Sequence, residues 1–331
     1  MRVALRADAG VEQGSGHVMR CLTLAEALLA RGHEVELHAA LEGVDWLEQA
    51  VSVSGARFVV AERDRIDPLA LRGQEAVVID SYRIPAAEIS ALPMGVLAIV
   101  DGESRGIRAG LYLDQNLGAE GATWHPPGPG RVLAGARYAL VRDAILSSRR
   151  AEPWRIDGRP RVLLVLGGTD PHGLTVRAAA ALDGLAAAAV TVVVGARWRE
   201  QVAAAAPSAA VVETTPRLPE LLAAADVVVS AAGTSAWDVC ALGVPAVLVA
   251  VVENQQRSLA AASDAGVCLG IDVAAHGAEA LSELPGLVGG LVDDEATRRT
   301  MSLAARAAVD GLGKVRVVEE LERLVRGRRP G

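Results

Sequence analysis

Aromatic residues are scarce in this chain of 331 residues, where they make up 3% of the sequence. Lysine is scarcer still, because Lys314 is the only one and every other basic residue is an arginine or a histidine. Hydrophobic residues nevertheless reach 51%. The core must therefore be built mainly from Ala, Val and Leu, and the length is typical of about two domains.

Cysteine and net positive charge are also in short supply. Cys21, Cys240 and Cys268 lie far apart, and no two cysteines form a Cys-x-x-Cys pair. This spacing argues against a zinc site and against a disulfide framework, so we expect reduced thiols in a cytoplasmic protein. The net charge of −7 argues against a nucleic-acid partner.

Long hydrophobic runs are missing as well. The longest apolar run, residues 244–252, is too short to span a bilayer, and the N-terminus lacks the apolar region of a signal peptide. We therefore expect no membrane insertion, and a monomer or weak dimer. Since the sequence contains no Asp-x-Asp pair, we expect no metal, and we expect no other cofactor.

Short runs of Val, Ile and Leu alternate with helical stretches rich in Ala and Leu, which predicts βαβ units and parallel sheets. The predicted strands are residues 3–5, 35–38, 58–60, 77–79, 97–100, 111–113, 162–166, 190–194, 210–212, 227–230 and 246–249. Predicted helices include residues 18–30, 41–51 and 295–326, the last of them broken near residues 311–313.

The alternation stops between residues 147 and 161, where Ser, Arg, Gly and Pro indicate a linker. We therefore predict an N-terminal domain over residues 1–150 and a C-terminal domain over 151–331, both Rossmann-like doubly wound parallel sheets. Ligands of such sheets bind outside the carboxyl ends of the strands. We expect the site to be built from loops that line a cleft between the two domains.

The first glycine-rich loop leads into a histidine. Gly14 and Gly16 follow the opening strand, and His17 starts a helical stretch, where backbone amides favour a phosphate. Met19 replaces the third glycine of a dinucleotide fingerprint, so the motif of a nicotinamide-dependent dehydrogenase is incomplete here. A neutral imidazole at this place is suited to act as a general base, with Asp8 as the candidate that orients it. The alternative is a histidine that only caps backbone groups.

A second strand-to-helix junction carries small and hydroxyl residues. Gly233, Thr234 and Ser235 are suited to bind a diphosphate, and Asp238, one turn later, is a candidate for the ribose hydroxyls. The remaining candidates for substrate contacts are Arg20, Asp80, Tyr82, Gly168, Asp170, Glu253, Asn254 and Gln255. For most of these groups an ordinary helix cap or loop is an equally simple interpretation.

Together these motifs resemble one family over nearly the whole chain, the UDP-sugar hydrolases of pseudaminic acid biosynthesis (PseG) and the related spore-coat polysaccharide proteins (SpsG). The most specific segment is the opening motif, from Arg6 and Asp8 through Gly14-x-Gly16-His17-Val18-Met19-Arg20-Cys21. Further segments that carry the resemblance follow in order at residues 79–82, 113–116, 135–140, 167–170, 232–237 and 253–255.

The resemblance implies a GT-B fold, like that of the MurG glycosyltransferase, and hydrolysis of a UDP-linked 2,4-diacetamido-2,4,6-trideoxy sugar. It implies that His17 is the base, that Tyr82 and Asn254 line the cleft, and that the Gly233 segment binds the diphosphate. The sequence departs from the family at Asp238, where Glu is usual, and at residues 100–105 beside the expected sugar pocket. The identity of the sugar therefore stays open.

We expect an inverting nucleotide-sugar hydrolase with a UDP-sugar as its small-molecule partner. In this hypothesis His17 takes a proton from the water that attacks C1, and Asp8 and Tyr82 complete the catalytic set. A glycosyltransferase of the same fold, acting in polysaccharide or secondary-metabolite biosynthesis, is the first alternative, because only its acceptor differs. A non-catalytic nucleotide-sugar-binding protein is the second, and it would bind UDP without turnover.

Overall fold

The computed structural model describes residues 1–11, 13–121, 123–167, 170 and 172–328. Its strands are β1 Arg2–Ala7, β2 Ala9–Gly10, β3 Glu34–Ala39, β4 Leu41–Glu42, β5 Arg57–Val60, β6 Ala76–Asp80, β7 Gly95–Ile99, β8 Leu111–Asp114, β9 Arg131–Ala134, β10 Arg161–Val165, β11 Ala189–Val194, β12 Ala210–Glu213, β13 Val227–Ala231, β14 Ala246–Ala250 and β15 Leu269–Asp272.

The helices alternate with these strands along most of the chain. The α-helices are α1 Gly16–Ala30, α2 Asp45–Val53, α3 Ala86–Ser90, α4 Asp143–Ser147, α5 Leu174–Leu182, α6 Arg199–Ala205, α7 Leu218–Ala224, α8 Thr234–Leu242, α9 Gln256–Asp264, α10 Val273–His276, α11 Leu284–Asp293, α12 Glu295–Ala308 and α13 Gly313–Arg328. Short 3₁₀ helices cover Ala119–Gly121, Ala136–Tyr138, Ala196–Trp198, Glu253–Gln255 and Ala278–Glu283.

The chain divides into two compact units. Unit 1 comprises Met1–Val141 together with Gly311–Gly331, and unit 2 comprises Arg142–Asp310. Helix α13 thus packs in unit 1, whereas the sequence predicts it in the C-terminal domain.

Unit 1 is built on a seven-stranded sheet in the order β5-β3-β1-β6-β7-β8-β9, with every pair parallel. Strand β1 lies between β3 and β6, and its last residue, Ala7, is in register with Asp80 at the end of β6. Apolar side chains pack on both faces of this sheet. The sheet is therefore buried on both sides, as the continuous apolar runs predict.

Unit 2 contains a six-stranded sheet in the order β12-β11-β10-β13-β14-β15, again with parallel pairs. Its order changes direction at β10, because β11 lies on one side of it and β13 on the other. Such switch points are where ligands meet the carboxyl ends of strands in open sheets. Helix α8 follows β13, so it begins at the carboxyl end of a strand next to this switch point.

All eleven predicted strands and the break before α13 are confirmed, but the structure differs at residues 41–51 and adds strands β2, β9 and β15. The helix predicted over residues 41–51 begins at Asp45, because Leu41 and Glu42 pair with β2 as strand β4. Strands β9 and β15 were not predicted from the sequence. Each contains only four residues, and β15 includes a glycine, so neither has a long apolar run.

The composition predicts reduced cysteines and no membrane-spanning helix. Cys21, Cys240 and Cys268 are all free and buried. None of the helices in the described ranges combines the length and the apolar character needed to cross a membrane.

Helix α13 joins unit 1 through an apolar face and a partly buried ion pair. The Nζ atom of Lys314, which is 4% exposed, lies 2.6 Å from a carboxylate oxygen of Glu26 in α1. The side chains that α13 adds to the core of unit 1 are Val317, Val318, Leu321 and Val325. The helix begins at Gly313, where its backbone passes close to the segment before unit 2.

We expect Gly313→Ala to lower the melting temperature by about 5–10 °C, because the added methyl overpacks a backbone contact at a cost of about 2–3 kcal/mol. A Cβ at this position would lie 2.5 Å from the carbonyl carbon of Tyr138 and nearer still to the carbonyl oxygen of Ala139. Thermal unfolding followed by circular dichroism measures the change. Gly327→Ala is the matched control in the same helix, because a Cβ there meets nothing within 4 Å. Equal melting temperatures for the two variants would contradict the close approach.

Candidate active site

The loop between β1 and α1 presents an uncapped helix start. Gly14 adopts a positive φ of 80°, and its amide donates to the carbonyl of Gly10 at 2.8 Å, which closes the loop ahead of α1. Ser15 is the N-cap of α1, but its side chain makes no capping hydrogen bond within the described residues. The first-turn amides of a helix lack intrahelical partners, so a helix start without a side-chain cap is suited to bind an anion.

His17 is held by a carboxylate that comes from a different strand. Its Nδ1 lies 2.7 Å from Oδ1 of Asp80, the last residue of β6, and the imidazole is 7% exposed. An ionised carboxylate only accepts hydrogen bonds, so Nδ1–H donates to Asp80. Nη2 of Arg20 lies 3.0 Å from the same nitrogen, but it donates to the nearer Oδ1 of Asp80 at 2.7 Å. The lone pair then stays on Nε2, which is the form of histidine that takes up a proton.

Arg20 secures Asp80 in turn. Its Nε donates to Oδ2 of Asp80 and its Nη2 to Oδ1, both at 2.7 Å. Burial raises the pKa of Asp80, but the positive charge of Arg20 and the hydrogen bonds from His17 and Arg20 hold it below the usual value. Asp80 is therefore an ionised partner for His17. Contact of Arg20 with a substrate stays a prediction, since the residue is 6% exposed and its fork is directed at Asp80.

The prediction that Asp8 orients His17 is wrong. Both carboxylate oxygens of Asp8 accept from the guanidinium of Arg6, and they also accept from the backbone amides of Ala40 and Asp64. Burial raises the pKa of Asp8, yet these hydrogen bonds lower it overall. Asp8 therefore links Arg6 of β1 to the segments at Ala40 and Asp64. The carboxylate that is hydrogen-bonded to His17 is that of Asp80.

Tyr82 packs against the imidazole and is itself anchored. Its ring meets the ring of His17 edge to face, with centroids 4.9 Å apart and an angle of 77° between the planes. Its hydroxyl donates to Asp101, and the guanidinium carbon of Arg105 lies 5.1 Å from its ring centre. Because Tyr82 remains 41% exposed, it offers an aromatic surface beside His17.

Three residues around Tyr82 lie in segments that the sequence analysis marked, residues 100–105 and 113–116, although none of the three was named individually as a site residue. Asp101 accepts from Nδ2 of Asn116 at 2.7 Å, and Arg105 donates from Nη2 to the carbonyl of Ser81, also at 2.7 Å. Asp101 follows β7 and Asn116 follows β8, so both lie at the carboxyl ends of strands in the same sheet, as Asp80 does at the end of β6. Polar residues that directly follow neighbouring parallel strands are expected near a ligand site, and this pattern in the sequence predicts the positions of Asp101 and Asn116.

In unit 2, the start of α8 is also free of a side-chain cap in the described structure. Gly233 is the N-cap in an extended conformation, followed by the partly exposed Thr234 and Ser235. Neither hydroxyl residue caps the helix, so the alternative interpretation of this motif as a plain N-cap does not hold. The first amides of α8 are suited to an anion.

The 253–255 segment lies next to this helix start. A Cβ at Gly233 would come within 3.2 Å of Nε2 of Gln255, and Oε1 of Gln255 accepts from the amide of Val251 at 2.9 Å. Glu253 and Asn254 are exposed on the same 3₁₀ helix. The structure thus brings two of the predicted motifs in unit 2 together.

Two other carboxylates in unit 2 that were predicted to bind substrate already form hydrogen bonds within the protein. Asp170 is 6% exposed and accepts from the amides of Leu174 and Thr175 at 3.0 and 2.8 Å, which caps helix α5. Asp238 is paired with Arg142, with 2.6 Å between Oδ2 and Nη2. Contacts of these carboxylates with a substrate therefore stay predictions, and Gly168 lies outside the described residues.

A metal centre has no evident ligand set in the part of the chain that the structure describes, where no three His, Cys, Asp or Glu side chains converge. The charged groups around His17 are instead paired with one another, with Arg20 against Asp80 and 3.8 Å from Asp101. This arrangement can orient an imidazole for proton transfer.

The sequence resembles known proteins at a low level of identity. Residues 162–304 match the glycosyltransferase family 28 C-terminal domain. The chain is 24% identical to the spore coat polysaccharide biosynthesis protein SpsG of Bacillus subtilis (strain 168), and the match covers 98% of both proteins.

Solved structures give a likeness of fold. MurG of Acinetobacter baumannii is 17% identical with a TM-score of 0.66, over 97% of this chain and 99% of that one. The spinosyn rhamnosyltransferase SpnG, in complex with thymidine diphosphate, is 18% identical with a TM-score of 0.68, over 97% of this chain and all of SpnG. The protein thus has the GT-B glycosyltransferase fold, with two α/β domains built on parallel sheets, and the predicted fold class is confirmed.

Proposed function

We propose that the protein is an enzyme that acts on a nucleotide-sugar, with His17 as its general base and water as its acceptor. The observation that carries the proposal is the hydrogen bond of 2.7 Å between Nδ1 of His17 and Asp80. A histidine that only capped the helix would have no need of a buried, ionised carboxylate on its other nitrogen. General bases of this kind accelerate reactions by about 10²–10⁴-fold.

In the proposed reaction, Nε2 of His17 removes a proton from water as the water oxygen attacks C1 of the sugar. The bond from C1 to the diphosphate oxygen breaks on the opposite face, so the anomeric configuration inverts. The electron pair of that bond leaves with the diphosphate. Tyr82, anchored by Asp101, supports the position of the imidazole.

The start of α8 is the proposed diphosphate site. Thr234 and Ser235 are partly exposed, and the helix start has no side-chain cap among the described residues. Amides fixed in this way stabilise charge that grows on a leaving phosphate. The crystallised SpnG complex contains thymidine diphosphate, and we propose a nucleoside diphosphate ligand, with UDP as the preferred one, for this chain.

For the sugar, we propose a 2,4-diacetamido-2,4,6-trideoxyhexose, in a pathway like that of pseudaminic acid. The similarity to SpsG over 98% of the chain supports a role in the biosynthesis of a surface polysaccharide or a related glycan. A glycosyltransferase is the second candidate, and the matches to family 28 and to transferases such as SpnG favour it. The two candidates share the donor and the base, and they differ in the acceptor alone.

The test is an NMR experiment on the protein with UDP-2,4-diacetamido-2,4,6-trideoxy-altrose in water, without another acceptor. We expect stoichiometric release of UDP and free sugar, with the inverted anomer at early times. Binding of UDP without release of sugar would reject the hydrolase and favour a transferase, which is then tested by adding alcohol acceptors. Binding without turnover under every condition would indicate a nucleotide-sugar-binding protein.

A further inference from the structure

We propose that Arg105 is a specificity-determining residue, which donates a hydrogen bond to an acyl oxygen at C4 of the sugar and excludes a sugar with a free amine there. This inference rests on the proposed function, since it concerns the sugar that binds beside His17. Arg105 belongs to residues 100–105, where the sequence departs from the family that it resembles.

The guanidinium of Arg105 has no carboxylate partner within the described part of the chain. Its Nη2 donates to the carbonyl oxygen of Ser81 at 2.7 Å, and no acidic side chain among the residues that the structure describes lies within ion-pair distance of it. Arg6 and Arg20, in the same unit, are each bonded to a carboxylate. A cation that is partly buried and left unpaired attracts an oxygen acceptor from a ligand.

The Nε atom of Arg105 is buried and makes no hydrogen bond in the described structure. Burial lowers the pKa of this guanidinium, and the negative charges of Asp101, Asp80 and Glu103 only partly oppose that effect. The desolvation of the guanidinium is therefore not fully compensated within the protein. A buried donor without a partner costs stability, so its presence calls for a reason other than folding.

The backbone of Arg105 adds a second cost. Arg105 has a φ of 52°, in the left-handed region that glycine adopts more readily than any other residue. Residues other than glycine that are held in this region cluster at functional sites, where the surrounding structure maintains them against their strain. Stability alone would favour glycine at this position.

Tyr82 connects Arg105 to the proposed base. The guanidinium carbon of Arg105 lies 5.1 Å from the centre of the Tyr82 ring, which in turn lies 4.9 Å from the centre of the His17 ring. Tyr82 is 41% exposed, and a sugar with its C1 at His17 would cover this exposed surface. Because C4 lies across a pyranose ring from C1, a substituent at C4 then extends toward Arg105.

The chemistry of a guanidinium selects among the groups that this sugar could carry at C4. A guanidinium offers donors and no acceptor, so it binds the carbonyl oxygen of an acylamino group. A free amine is protonated at neutral pH and repels the guanidinium, most strongly in a partly buried site where salt screens little. The substrate class is therefore a sugar with an acyl oxygen, and no free amine, at C4.

The experiment measures binding by ligand-observed NMR in a His17→Asn background, which prevents turnover. The probes are UDP, UDP-2,4-diacetamido-2,4,6-trideoxy-altrose and the same nucleotide-sugar with a free amine at C4. With Arg105 present, we expect the diacetamido compound to bind about 10–100-fold more tightly than the amine. Arg105→Ala should reduce this ratio to about threefold or less and should leave the affinity for UDP within about twofold.

Two further variants make the test specific. Arg131→Ala removes an exposed arginine of unit 1 that pairs with Glu320, and it should keep the ratio of the parent protein. Arg105→Gly separates binding from folding, because glycine adopts a φ of 52° without strain. It should melt at a higher temperature than Arg105→Ala and show the same loss of discrimination.

Unchanged discrimination in Arg105→Ala would overturn the inference, as would equal binding of the two nucleotide-sugars when Arg105 is present. A loss of UDP affinity as large as the loss for the diacetamido compound would also overturn it, because the guanidinium would then bind the diphosphate. A wild type that binds nucleotide-sugars without hydrolysing them would reject the hydrolase and leave this binding test in force. Failure to bind any nucleotide would overturn the proposed function and this inference together.

Discussion

Replacing His17 with Asn is expected to lower kcat about 10²–10⁴-fold, while the affinity for UDP changes less than threefold. Asparagine cannot take a proton from water, but it is polar, and the proposed UDP site lies in unit 2 at residues of α8. The loss should therefore appear in turnover and not in nucleotide binding. Steady-state release of UDP from the UDP-sugar, with calorimetric titration of UDP, measures both.

The control for this substitution is His276→Asn, the same change at an exposed histidine at the end of α10. It should leave turnover at the wild-type level. Undiminished turnover of His17→Asn would reject His17 as the base. A fall in UDP affinity as large as the fall in kcat would show that the substitution disturbs binding and not proton transfer.

Asp80→Asn is expected to produce a loss of kcat of similar size, about 10²-fold or more. The amide of Asn donates a hydrogen bond to Nδ1, so the imidazole proton moves to Nε2 and the base loses its lone pair there. The buried guanidinium of Arg20 also loses the charge of its partner, so we expect a lower melting temperature as well. Turnover measured well below the melting temperature separates the two effects.

Two variants make this prediction specific. Asp157→Asn changes an exposed aspartate in the same way and should alter neither turnover nor stability. Asp8→Asn removes charge from the Arg6 pair, and it should lower stability while kcat falls by much less than in Asp80→Asn. The opposite order of kcat values for the Asp8 and Asp80 variants would show that Asp8, and not Asp80, serves His17.

Much of the architecture and of the site could be predicted from local patterns. The alternation of apolar runs and helical stretches specifies parallel α/β units, because continuous apolar strands require cover on both faces. Gly14 and Gly233 mark strand-to-helix junctions: α1 begins two residues before the predicted start at residue 18, and α8 begins directly after Gly233. The position of His17 in the first turn of α1 follows from the same pattern. These features depend on residues a few positions apart.

The partners of the charged groups were decided by the tertiary structure. Asp8 is near His17 in sequence, but Asp80 reaches it, because the parallel register of β1 and β6 sets Asp80 opposite Ala7. Arg142 meets Asp238 across 96 positions of sequence. A carboxylate pairs with the cation that the sheet register brings within hydrogen-bond distance, and no local pattern contains that register.

By itself, the sequence determined the fold class, the strand-to-helix junctions that we propose as anion sites and the identity of the histidine base candidate. Only the tertiary structure decided that Asp80 orients this histidine, that Asp238 holds an arginine, and that α13 belongs to unit 1. The physical reason is the distance along the sequence over which each interaction acts. Backbone propensity and hydrophobic periodicity act over one or two turns, whereas ion pairs and close backbone contacts such as that of Gly313 depend on how distant segments pack.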